Sequence, residues 1–336
     1  MKSSGGPGAK RGRSRDLSIC IDVPDHKRLR ASRVKPITLK RYQKAVEEFE
    51  HWAFTHKRSL SVSRVDRSCV DYLHWLCEQG RSVVDARSTV YGYVMLKADS
   101  EQPERFLTSQ SKTALKGWTT RFPIHSRSAV ELRVWDAVAG QCVADGQPFA
   151  AAAILLQGDL YLRPHEILNL TKGTVIRPKT SQARSWGVVL APQETGHPTK
   201  TGTYDDCVLL DTPGREDCQV IIRSLFQRAV ADSDLIFPTL TARLYGLAIA
   251  DAAQKLGLGR LRLTPHGLRH SGPSTDSLYK VRDISAIQAR GRWQSASSVA
   301  RYRKPGRMFL THHMVPDHVW QVADSSRRSV VRYFSN

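Results

Sequence analysis

The stretch from Ala150 to Leu162 constrains this chain more than any other: Ala-Ala-Ala-Ala-Ile-Leu-Leu-Gln-Gly-Asp-Leu-Tyr-Leu. It is apolar on nearly every side, so a helix built from it has no face to give to water and must be wrapped by other elements. It is also too short to cross a bilayer, which takes about 18 or more apolar residues. No longer apolar run occurs elsewhere, so no transmembrane helix and no membrane partner are expected. The chain therefore folds around a buried helix in its second half.

The elements around that helix are read from periodicity. Three short β-branched or apolar runs follow it: Thr174-Val175-Ile176, Trp186 to Leu190, and Cys207 to Leu210. Gly196, Pro198, Gly202 and Asp205-Asp206 supply turns between them, which predicts a small three-stranded antiparallel sheet. Helical spacing returns at Cys218 to Val230 and at Ala242 to Leu256.

The first half is different. Tyr42, Val46, Phe49 and Trp52 fall at helical spacing, with Thr38 as the expected N-cap. Further helices are expected through Val70 to Leu76, ending near Gly80, then from Val84 to Leu96 and from Ser109 to Thr119. The predicted fold is mostly α with a small antiparallel β-sheet, arranged as an all-α domain over 35–120 and an α+β domain over 129–336. Residues 121–128, polar and basic, are expected to link them. Residues 1–34 have too few large apolar groups to offset ordering entropy, and read as a disordered basic arm. Its clusters, Lys10-Arg11-Gly12-Arg13 and Lys27-Arg28-Leu29-Arg30, suit nuclear import or phosphate binding.

Charge narrows the partner. Across 336 residues, 51 Lys and Arg face 31 Asp and Glu, a formal net charge of +20. Such a chain is drawn to polyanions. The six cysteines are scattered with no Cys-x-x-Cys pair, which excludes the usual zinc spacing and a disulfide frame, and points to a reducing, intracellular setting. The Gly- and Ser-rich start lacks the apolar core of a secretory signal.

Five segments of the second half carry groups suited to phosphodiester chemistry. That chemistry needs a nucleophile, an acid for the leaving oxygen, and donors for the non-bridging oxygens. Arg163-Pro164-His165-Glu166 follows the buried helix and offers a guanidinium with a carboxylate to orient it. Lys200 lies in the turn between the second and third predicted strands. His266 and Arg269, in His-Gly-Leu-Arg-His-Ser, share one face of a helix. Gly291-Arg292-Trp293 offers an indole N–H, a donor only. Ala300-Arg301-Tyr302-Arg303-Lys304 holds a phenol, on a short helix expected to be capped by Ser297 or Ser298. Alone, each has an ordinary structural explanation: a helix-start ion pair, a solvated lysine, a capped histidine, two core aromatics.

Their order is informative. An Arg followed three residues on by a Glu, a hairpin Lys, a His-x-x-Arg helix, and a Trp nine residues before a Tyr together resemble the tyrosine recombinase (phage integrase) family. The Trp before the Tyr is similar to the Cre-type variant; most relatives carry His there. The resemblance is specific over 150–305. It is only topological over 36–120, where the family has a helical core-binding domain.

The resemblance implies a site-specific DNA recombinase or integrase that cleaves and rejoins DNA through a 3′-phosphotyrosyl link. Tyr302 would attack the phosphate and Lys200 would protonate the leaving 5′ oxygen. Arg163 and Arg269 would bind the non-bridging oxygens, with Glu166 behind them. His266 would assist proton transfer, and Trp293 would donate to the phosphate. No cofactor and no metal are implied. The expected partner is duplex DNA, clamped by the two domains, with copies of the chain assembling on it. The location would be wherever DNA is, the nucleus in a eukaryote and otherwise the cytoplasm.

Two alternatives share parts of this pattern: a catalytically inactive duplex-DNA-binding protein and a type IB topoisomerase-like enzyme. Two departures bear on geometry. Pro273 follows the His-x-x-Arg segment, so its helix is expected to be kinked or short. The turn from Gln193 to Asp206 is long for a hairpin.

Overall fold

A computed structural model describes residues 34–97, 109–122, 129–179, 185–196, 199, 202–300, 302–303 and 305–335. Within these the chain is mostly helical with one three-stranded antiparallel sheet, as the sequence predicts. It divides into two compact units, Met1–His125 and Ser126–Asn336. The basic arm and most of the predicted linker lie outside the described residues. No helix among the described residues is long and apolar enough to cross a membrane.

Among the described residues the first unit holds four helices: α1 (Pro36–Thr55), α2 (Val65–Glu78), α3 (Val83–Leu96) and α4 (Ser109–Arg121). Their core is aromatic: Tyr72 lies 5.2 Å from Phe49 and 5.1 Å from Trp52, ring to ring. Thr38 is not the cap of α1. Lys35 holds that position, with Pro36 in the first turn and no side-chain cap. Proline there brings a φ already suited to a helix and lacks an N–H that would go unused, so the helix starts earlier. Asp66 and Ser111, both buried, join α2 to α4 through a 3.2 Å backbone N–H bond and a short hydroxyl contact.

The second unit wraps the apolar helix. This is α6 (Pro148–Asp159), in which Ala150 through Asp159 are all buried. Against it pack α5 (Leu132–Ala144), α10 (Pro265–Leu278), α8 (Cys218–Arg228) and α9 (Ala242–Lys255). A short α7 (Pro164–Leu168) leads from α6 to the sheet, β1 (Val175–Ile176), β2 (Gly187–Leu190) and β3 (Asp206–Leu209), paired in sequence order. Beyond α10 come α11 (Ile284–Gly291), α12 (Ala296–Ala300), α13 (Pro305–His312) and α14 (Asp317–Ser335). Helix α14 buries Val319, Ala323, Val330 and Phe334 and packs on α5 and α8.

Pro273 does not stop α10, which runs on to Leu278. A proline inside a helix costs about 3 kcal/mol, and burial outweighs it here. The residue before it, Gly272, lies hard against the end of α6. A Cβ there would fall 2.5 Å from both the Gly158 carbonyl oxygen and the Tyr161 ring.

Buried charges tie these layers together. Arg215 forks onto Asp136 of α5 at 3.0 and 2.9 Å. Arg290 of α11 reaches Asp159 at 3.5 Å and Asp211, just past β3, at 2.7 Å. Arg282 pairs with Asp211 at 3.1 Å and with Asp276 of α10. Burial pushes the Asp159 carboxyl above its usual range, against the pull of Arg290 and Arg215. Removing one partner from such a pair leaves an uncompensated buried charge, which is the costly case.

Two glycine variants test the packing. Gly272→Ala is expected to destabilise the second unit by about 1–3 kcal/mol, because backbone must shift to admit the methyl. Gly246, inside α9, has nothing within 4 Å of an added Cβ. Gly246→Ala is therefore expected to stabilise by up to about 1 kcal/mol through helix propensity. Denaturant unfolding of both variants checks the sign of each change.

Candidate functional site

The site begins where α6 ends. Tyr161 takes a left-handed backbone, φ 52°, and turns the chain inward. Its hydroxyl donates to Asp276 at 2.6 Å. Arg163 follows as the residue before α7, and Glu166 closes that turn by accepting the Arg163 backbone N–H at 2.7 Å. The Arg163 guanidinium donates to the other oxygen of the same carboxylate at 2.5 Å.

Helix α10 brings in the next groups. Arg269 is fully buried. It donates to the Gly291 carbonyl at 2.7 Å and to the Tyr161 carbonyl, and lies 3.9 Å from Glu166. Its Nε–H has no acceptor among the described residues. His266 is half-buried one turn earlier, its ring 5.6 Å from that of His270.

The loop after α11 brings the aromatic pair. Arg292, φ 56°, ends the helix, and its guanidinium donates to Glu166 at 2.7 Å. Trp293 follows with its ring folded back over Gly291, where an added Cβ would sit 1.9 Å from the indole. No other residue fits at position 291 without moving that ring. The Trp293 Nε1–H is buried and has no partner among the described residues. An unmet buried donor costs about 1–3 kcal/mol, so this group is suited to an incoming acceptor.

Tyr302 lies between two rings. His270 is 4.6 Å away at 25° and Trp293 is 4.7 Å away at 26°, both stacked on it. The Arg269 guanidinium is 5.6 Å from the Tyr302 ring and 5.1 Å from the Trp293 ring. The Tyr302 backbone is fixed as well, its carbonyl accepting the Ser274 hydroxyl of α10 at 2.8 Å. The cap of α12 differs from expectation. Ser295 accepts the Ser298 N–H at 3.3 Å, so Ser297 and Ser298 fall inside the helix.

The structure thus brings Arg163, Glu166, Arg269, Trp293 and Tyr302 together, with His266 linked to them through His270. Lys200 and Arg301 lie outside the described residues. Of the neighbours of Lys200 in the β2–β3 connection, Thr199 and Thr203 bond to each other: the Thr199 N–H donates to the Thr203 carbonyl at 2.8 Å, and their hydroxyls bond at 2.7 Å. Of the other lysines near the sheet, Lys172 donates to the Ala229 and Val230 carbonyls at 2.9 and 3.1 Å, and Lys179 is exposed.

Sequence reasoning missed His270 and Arg292. For His270 a signal existed, because it lies four residues after His266 and so on the same helical face. For Arg292 there was none, since a left-handed backbone that turns a long side chain inward leaves no periodic trace.

Burial alone would raise the Glu166 carboxyl, but Arg292, Arg163 and Arg269 outweigh it and hold it below its usual value of 4.5. A carboxyl lowered in the folded state adds stability above about pH 4.5, lost as pH falls below it. Glu166→Gln is expected to cost about 3–5 kcal/mol at neutral pH, because it strands buried guanidiniums. That deficit should shrink on acidification. Urea unfolding of wild type and variant across this range checks it.

No protein-family model matches the chain, and no curated protein matches it by sequence. Solved structures do. XerA recombinase aligns over 93% of this chain and 97% of its own at 16% identity, with a TM-score of 0.41. XerH site-specific recombinase bound to difH substrate, in a pre-cleavage complex, aligns over 76% and 72% at 14% identity, TM-score 0.49. XerH bound to palindromic difH substrate, in a post-cleavage complex, aligns over 79% and 75% at 13% identity, TM-score 0.54. That last likeness, with the helical build and the three-stranded antiparallel sheet, identifies the architecture: this chain has the fold of the tyrosine recombinases.

Proposed function

We propose that the chain cuts and rejoins duplex DNA as a site-specific recombinase, with Tyr302 as nucleophile and a 3′-phosphotyrosyl intermediate. One observation carries this reading: the Tyr302 phenol is stacked beside a buried cluster of three arginines that, among the described residues, all pair with one carboxylate. An anion is favoured where positive charge exceeds negative in a water-poor site. A phosphodiester is such an anion.

In this mechanism the phosphate enters beside Arg163, Arg269 and Trp293. The guanidiniums and the indole N–H bind its non-bridging oxygens and stabilise the charge that grows there during attack. The Tyr302 oxygen attacks phosphorus and the 5′ oxygen departs, taking a proton from Lys200. His266, on the same face of α10 as Arg269, aids proton transfer from the phenol. Rejoining runs the same steps in reverse from a 5′ hydroxyl, so no outside energy source is required. The first unit serves as the core-binding domain. The formal charge of +20 suits a polyanionic partner. Copies of the chain assemble on the DNA, as paired strand exchange requires.

The trapping substrate is a pool of duplexes of randomised sequence, each with one 5′-bridging phosphorothiolate. Sulfur leaves without a proton and does not rejoin efficiently, so covalent adducts accumulate. Wild type is expected to give a denaturant-resistant protein–DNA adduct, and Tyr302→Phe none, with folding and DNA affinity preserved. The late tyrosines Tyr279 and Tyr333 are the controls. Tyr279 donates to Glu131 at 2.7 Å in a structural role. Peptide mapping of the adduct to either of them would refute the assignment.

A second experiment addresses the acid. Lys200→Ala is expected to slow cleavage of ordinary DNA by about 10²–10⁴-fold, the range for general acid–base groups. On the sulfur substrate the loss should nearly vanish. Equal losses on both substrates, or selective rescue by sulfur of Lys179→Ala instead, would reassign the acid.

A further inference from the structure

Arg292 stands apart from the groups assigned so far. Its backbone is left-handed, φ 56° and ψ 45°, a conformation that residues with a Cβ rarely adopt. Glycine would be relaxed there. The side chain is almost wholly buried, 5% exposed, and its guanidinium donates to Glu166 at 2.7 Å and to the Arg290 carbonyl at 3.4 Å.

The position gives this contact a mechanical meaning. Glu166 already receives the Arg163 guanidinium and backbone N–H, so it does not need a further cation for charge balance alone. Arg292 is also the covalent neighbour of Trp293, whose ring carries Tyr302. Its other neighbour, Gly291, presents the carbonyl that Arg269 grips. One side chain therefore joins the loop bearing the aromatic stack to the turn bearing Arg163.

Resting on the recombinase reading above, we propose that Arg292 is a positioning residue: through Glu166 it sets the distance between the Tyr302–Trp293 stack and the phosphate-binding arginines. It does not touch the substrate. Its guanidinium donates to Glu166 and to the Arg290 carbonyl, and the phosphate contacts proposed above stay with Arg163, Arg269 and Trp293.

The test uses the full chain and the duplex that wild type selects from the phosphorothiolate pool. Because sulfur needs no acid, the rate reports attack geometry alone. Arg292→Gly relaxes the backbone and deletes the guanidinium; Arg292→Lys keeps a cation but loses the planar fork. At saturating DNA, Arg292→Gly is expected to form adduct about 100-fold more slowly, the scale of loss from a misplacement of about 1 Å. Arg292→Lys should recover only part of it. The DNA concentration for half-saturation should not change in either, since neither variant removes a substrate contact.

A wild-type rate in Arg292→Gly overturns the assignment, as does a rise in half-saturation at unchanged maximal rate. Should Arg292→Gly fail to fold, Arg292→Lys decides: a slowed maximal rate at unchanged half-saturation upholds the assignment, and a wild-type rate overturns it. Absence of adduct from wild type is a separate result, which removes the strand-transfer reading and this assignment with it. Adduct from wild type with unaffected Arg292 variants removes the assignment alone.

Discussion

Everything at the site leans on one carboxylate. Glu166 closes the turn after α6, receives Arg163 and Arg292, and stands 3.9 Å from Arg269. Like charges buried this close repel strongly in a medium less polar than water. Burial and the flanking Arg163 and Arg292 bring the Arg269 guanidinium down to about 10, which leaves it cationic at neutral pH. The carboxylate makes the cluster tolerable without cancelling it.

The second unit is built to hold that cluster still. Helix α6 is encased, so the turn at Tyr161 starts from a fixed point. The Tyr161 carbonyl accepts from Arg269 and its hydroxyl donates to Asp276, which also receives Arg282. Arg282 and Arg290 share Asp211 at the end of β3. The strand that leads out of the β2–β3 connection is thereby held to both ends of α11, and the buried ion pairs act as spacers between layers that apolar packing alone would let slide.

Much of this was legible in the sequence. The apolar run at Ala150 located the centre of the fold, and the turn residues around Gly196 and Asp205 marked the strands to within a residue or two. The spacing of Arg163 to Glu166, His266 to Arg269 and Trp293 to Tyr302 picked out, before any geometry, residues that the fold brings near one another. What escaped lies where local rules yield to context. Pro36 overrode Thr38 as the start of a helix, and burial carried α10 past Pro273. Arg292 meets Glu166 across 126 residues, a contact that no periodic pattern covers, whereas His270 lay within the helical spacing of His266 and was passed over.

The stacking of Tyr302 also has a dynamic side. With its carbonyl held by Ser274 and its ring between His270 and Trp293, the phenol can move only by rotating its side chain out of the sandwich. Each aromatic contact is worth about 0.5–1.5 kcal/mol beyond simple burial. Leaving both therefore costs about 1–3 kcal/mol, and each 1.4 kcal/mol is a factor of about ten in population. The unstacked ring is thus a minor state, visited by at most roughly one molecule in six to one in 140. The same two rings that hold the phenol also ration how often it can swing away.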